Sequence, residues 1–103
     1  MASNTIRARA SLQDGVASVR ALVSHPMETG QARDSDGELI PAHYIEDMHA
    51  ELNGEKVMVA HMSQAISRNP YLSFQFEGAS SGDTLSLRWN DNKGDSDSTE
   101  ITL

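Results

Sequence analysis

Four histidines, five methionines and a cluster of short acidic and hydroxyl residues are the side chains that could do chemistry in this chain. His43, Asp47 and His49 would share one face of an extended strand, with Ile45 between them. A metal site can be drawn from Asp47 and His49 at i, i+2, but no zinc-type spacing is present, and a wet polar strand face is the better reading. His25 precedes Pro26 at a strand end, and no nucleophile is placed beside it by sequence. It therefore reads as a loop-anchoring side chain rather than a base. Asp34-Ser-Asp-Gly37 resembles the opening of a calcium loop. However, Leu39-Ile40-Pro41 follows where such a loop needs further oxygen ligands, so a turn rich in Asp, Ser and Gly is expected. Thioethers accept copper(I), and Met58 and Met62 share a strand face, yet methionine more often fills a core or an interface. The chain has no cysteine, which excludes disulfides, thiolate metal sites and any thiol carriage by this chain itself. Neither a phosphate-cradling glycine loop nor a nucleophile elbow is present.

Strands must position these residues, because the apolar side chains alternate rather than recur at helical spacing. Ile6, Ala8 and Ala10 alternate with Arg7 and Arg9. Ala17, Val19, Ala21 and Val23 line one face of the next segment. Met48, Ala50 and Leu52 lead into Asn53-Gly54, a strong two-residue hairpin signal, with Val57 and Val59 beyond it. Leu72, Phe74 and Phe76 form another alternation, then Leu85, Leu87 and Trp89, and finally Thr99, Ile101 and Leu103. About seven short strands separated by turn chemistry, with no helix, predict an all-β fold: an immunoglobulin-like antiparallel β-sandwich in architecture only. The length of 103 residues fits a single domain, 1–103. Val19, Val23, Leu72, Phe74, Phe76, Leu85 and Leu87 are expected inside, with Trp89 in the core or at its edge.

Two regions break the alternation. Residues 24–41 are long for a connection, where about 4–6 residues is usual, and their glycines and Pro41 suggest defined turns. In Lys56–Met62 both faces are apolar, whereas a two-layer domain covers only one. The row Met58, Ala60 and Met62 is therefore a candidate partner-contact patch. A loop folding over that row is the competing explanation.

The formal charge is −7, so nucleic acid and anionic membranes are poor partners. The charge is uneven. Residues 1–33 hold four arginines against two acids, a net of +2, while residues 34–103 hold four bases against thirteen acids, a net of −9. No apolar run approaches the ~18 residues of a membrane helix. The N-terminal segment has no apolar signal-peptide region, which taken alone implies the cytoplasm.

The stretch Val23-Ser-His-Pro-Met-Glu-Thr-Gly-Gln-Ala-Arg-Asp-Ser-Asp-Gly-Glu-Leu-Ile-Pro41 resembles the signature of the SoxZ family. The residues that carry the likeness are His25, Met27, Glu28, Gly30, Asp34, Gly37, Ile40 and Pro41. Glu51-Leu-Asn-Gly54, Ser67-Arg-Asn-Pro-Tyr71 and Trp89-Asn-Asp91 add weaker likenesses in the same order, so the resemblance runs over nearly the whole chain. It implies an immunoglobulin-like, non-catalytic subunit without cofactor that pairs with SoxY in a heterodimer. SoxY would carry thiosulfate-derived sulfur on a C-terminal cysteine, and other Sox enzymes would be transient partners. It further implies a periplasmic location, reached by crossing with a signal-bearing SoxY. Some relatives carry a cysteine where this chain has Ala50, so an intersubunit disulfide there is impossible. In the absence of SoxY, the Met58, Ala60 and Met62 patch could support a homodimer. The rival expectations are a freestanding small-ligand or metal-binding sandwich that uses His25, Met27 and Glu28, and, far behind, a small hydrolase.

Overall fold

A computed structural model describes residues 5–63 and 65–103. Seven strands follow one another: β1 Ile6–Gln13, β2 Val16–Val23, β3 Ile45–Leu52, β4 Glu55–His61, β5 Tyr71–Glu77, β6 Thr84–Asp91 and β7 Ser96–Thr102. They form two antiparallel sheets, ordered β1-β2-β5 and β4-β3-β6-β7. The all-β, immunoglobulin-like sandwich expected from alternation is the fold found. All seven apolar segments named from the sequence fall on these strands or run to their ends.

The reason is the period-two pattern. Ala17, Val19, Ala21 and Val23 of β2 face Leu85, Leu87 and Trp89 of β6 and Met48 and Ala50 of β3 across the interior. All of these are at most 5% exposed. Leu72, Phe74 and Phe76 point inward as expected but are only half-buried. Their strand, β5, is the edge of its sheet, and β4 is an edge of the other, so the sandwich is incompletely closed on that side. Trp89 lies in the core and donates its Nε1–H to Thr5 Oγ1 at 3.0 Å.

Alternation misleads in two places, and a bulge explains each. The pairing of β3 with β6 shifts register between Ile45 and Asp47. Ile45 and Met48, three residues apart, are thus both buried. His43 is thereby separated from Asp47 and His49, and the common face drawn for the three does not exist. A second shift lies between Ala50 and Glu51 in the pairing with β4. It brings both Val57 and Met58 against the core. Met58 pairs with Ala50 and Ala60 with Met48, so the row Met58, Ala60 and Met62 sits on the inner face rather than forming an outer one.

The long connection is a ribbon with its own pairing, not a floppy loop. Glu28 and His43 exchange both backbone hydrogen bonds, Ile40 N–H donates to Ala32, and Arg33 bridges Leu39. Every residue from 31 to 39 is exposed. The principal extents are 54 × 22 × 18 Å, and an eight-residue strand spans only ~27 Å, so the ribbon extends the molecule well past the strand ends.

Candidate functional site

The ribbon is tied down at its root by a buried cluster. His25 follows β2, His43 precedes β3, and Asp91 ends β6. Asp91 Oδ2 accepts from His25 Nε2 at 3.0 Å and from His43 Nε2 at 2.7 Å. Its Oδ1 accepts the backbone N–H groups of Lys93 and Asp95, which shapes the β6–β7 turn. The Asp91 side chain is fully buried and that of His25 nearly so, while His43 keeps some exposure. The His25 ring meets His43 and Trp89 edge-on, at centroid distances of 4.6 and 5.2 Å. Burial pushes the Asp91 carboxyl up, but the two imidazoles and two backbone donors outweigh it and hold the group below its ordinary value.

Two imidazoles and a carboxylate this close could hold a metal ion. The hydrogen bonding opposes that use. Met27 N–H donates to His25 Nδ1 at 3.1 Å, so Nδ1 carries the lone pair and the proton sits on Nε2. A metal on Nε2 would drive that proton to Nδ1 and break the Met27 bond. Metal-bound histidines instead use their second nitrogen as a donor. The same geometry gives no nucleophile for His25 to activate. The cluster is therefore a latch between the ribbon and the β6–β7 turn.

The other motif residues build the ribbon. Met27 is buried at φ 48°, and its Sδ accepts Ile45 N–H at 3.4 Å. Glu28 reaches Arg68 at 4.0 Å. Gly30 has φ 88°, and a Cβ there would lie 3.2 Å from Ala42 Cβ, so the two legs need a glycine to approach. Asp34 Oδ1 accepts the N–H groups of Asp36 and Glu38, and Gly37 closes the turn at φ 80°. This is the Asp-Ser-Gly turn expected, with Asp34 capping backbone donors of its own turn. Ile40 continues the ribbon through its bond to Ala32, and exposed Pro41 follows. His25 as a loop anchor was legible beside Pro26. Asp91 as its acceptor was not, because Asp-Asn-Lys-Gly reads as a local turn and the partners lie 66 and 48 residues away. Asp47 and His61 pair at 2.6 Å on the wet face, and this bond holds the Asp47 carboxyl below its ordinary value.

The second feature is the open side of the sandwich. Half-buried Met58, Ala60 and Met62 of the β4 side and Leu72, Phe74 and Phe76 of β5 are packed against the core there. A groove lined by Ala60, Met62, Ile66, Pro70, Tyr71 and Leu72 runs along it. Ile66 and Tyr71 are exposed at 38% and 61%. The methionine row named from the sequence thus lies beside an apolar opening, although it faces inward.

No curated protein matches the chain. The family model described as Sulphur oxidation protein SoxZ matches residues 6–102. With the motif ribbon, its latch and the sandwich all lying within that match, the chain belongs to the SoxZ family of sulphur oxidation proteins.

Proposed function

We propose that this chain is the non-catalytic subunit of a SoxYZ sulfur-carrier complex and pairs with a SoxY-like subunit in the periplasm. The partner's C-terminal cysteine would hold thiosulfate-derived sulfur between Sox enzymes. Family membership over residues 6–102 is the observation that carries the reading. Two features of the chain support it. None of its residues is cysteine, so a thiol carrier must be supplied by another chain. The open side at β4 and β5 offers apolar side chains that a partner can cover, and exposed apolar patches mark interfaces. The latch gives no support to the rival metal-module reading, since both nitrogens of His25 are already committed.

Intact-mass measurement separates the roles. A co-purified pair is loaded with thiosulfate by the Sox enzymes. The sulfur adduct is expected on the SoxY-like chain only. An adduct on this chain would overturn its non-carrier role, and a product formed by this chain alone would overturn its non-catalytic one.

A further inference from the structure

The outer face of the β1-β2-β5 sheet carries an arrangement that folding does not explain. In register, Arg9 stands directly opposite Arg20, and the adjacent row places Arg7 beside Leu22 and Tyr71. All five side chains are exposed. Cross-strand neighbours of like charge repel, so the Arg9–Arg20 pair works against the sheet it sits on. Among the described residues, none of the three arginines forms an ion pair within 4.0 Å. Glu100 of β7 lines a shallow groove with Arg7, Arg9 and Arg20, and Glu77 lies two rows from Arg9 at the far end of the sheet. Three of the eight basic residues of a chain with net charge −7 are thus gathered on one sheet face.

Among the described residues, the same face holds two of the four exposed large hydrophobic ones, Leu22 at 42% and Tyr71 at 61%. Arginine and tyrosine together are the composition of protein-binding hot spots, where a flat apolar ring and a charged fork act side by side. An isologous second copy is disfavoured as occupant, because twofold symmetry would set this arginine-rich face against itself. Duplex nucleic acid is disfavoured by the chain's overall negative charge. Charge complementarity leaves an acidic protein surface.

We infer that the outer face of the three-stranded sheet, centred on Arg7, Arg9, Arg20, Leu22 and Tyr71, is a docking surface for an acidic protein segment. It meets the opening at β4 and β5 at Tyr71, which lines both, while Arg7, Arg9, Arg20 and Leu22 lie outside that opening. Its contacts are exposed and charged, which makes docking fast and salt-sensitive.

The test uses the full chain and a synthetic Glu-rich peptide bearing one leucine and one tyrosine, followed by fluorescence anisotropy. Binding is expected at low salt, weakening steeply as sodium chloride rises. The double variant Arg9→Ser/Arg20→Ser should bind at least about tenfold more weakly. Its melting temperature should equal or exceed the parent's, since a repulsive pair is removed. Variant affinity within about twofold of the parent's would overturn the proposal. So would displacement of the peptide by inorganic sulfate well beyond chloride at equal ionic strength, which would mark a small-anion site. Equal competition by duplex DNA, or salt-sensitive self-association of the parent in sedimentation, would overturn it as well.

Discussion

Asp91 Oδ2 and Oδ1 together accept four hydrogen bonds, two from imidazoles and two from the backbone. An asparagine has one oxygen and one amide nitrogen, so Asp91→Asn must aim N–H at N–H on one side. Leaving buried donors unpaired costs ~1–3 kcal/mol each, and the variant should lose about 2–4 kcal/mol by chemical denaturation. A loss below about 0.5 kcal/mol would mean that the latch is not formed in solution. The sign of the pH dependence follows from the depressed carboxyl. Its stabilising effect is fully present above the unfolded value, ~3.9, and disappears as pH falls through the lower folded value. The parent should therefore lose stability in acid below about pH 4 more steeply than Asp91→Asn, which has no such group. Parallel acid profiles for the two would contradict this. His25 could be read as an anchor because a histidine before proline at a strand end has little else to do. Its tautomer could not, because the acceptor role of Nδ1 depends on where the Met27 N–H turns.

Within single elements, strand identity was legible and bulges were not. Alternation names the inner face of β2 and β6 without error, since each strand keeps strict register. In β3 one extra residue between Ile45 and Asp47 moves everything before it to the opposite face. No residue type there announces the bulge, so His43 was grouped with the wrong neighbours. The ribbon makes a sharper test. Gly30 and Gly37 both adopt positive φ, but only Gly30 has a neighbour within 4 Å of a built Cβ. Gly37→Ala should cost ~1–2 kcal/mol for its backbone alone. Gly30→Ala adds a crowded contact with Ala42 and should cost more in the same thermal melts. Equal losses would show that the two legs can part freely. At the edge strand β5, Phe74 is half-buried, so Phe74→Ala should cost about half of the ~3–5 kcal/mol of a fully buried phenylalanine.

As a whole the molecule is a sandwich closed where β1 and β2 lie over β6 and β7, open at β4 and β5, and drawn out by the ribbon. Apolar character on both faces of Lys56–Met62 signalled that something unusual happens at this strand. Which row stays accessible was not legible, because that depends on the bulge and on how far β5 covers β4. The placement decides how the partner surface is probed. Met58→Asp would put a carboxylate on the inner face, so any loss of binding would be mixed with loss of folding. Ile66 is exposed at the rim of the same opening. Ile66→Asp should leave the circular dichroism and melting temperature unchanged while weakening SoxY pairing at least about tenfold, because the new carboxylate would be desolvated without a counter-charge. A folded Ile66→Asp variant with parental affinity would place the interface elsewhere. The pairing itself is the central claim, and co-expression with a SoxY-like subunit followed by sizing with mass detection tests it directly. A 1:1 complex that survives dilution to micromolar concentration is the expected result. Elution of this chain apart from a folded SoxY-like partner would contradict it.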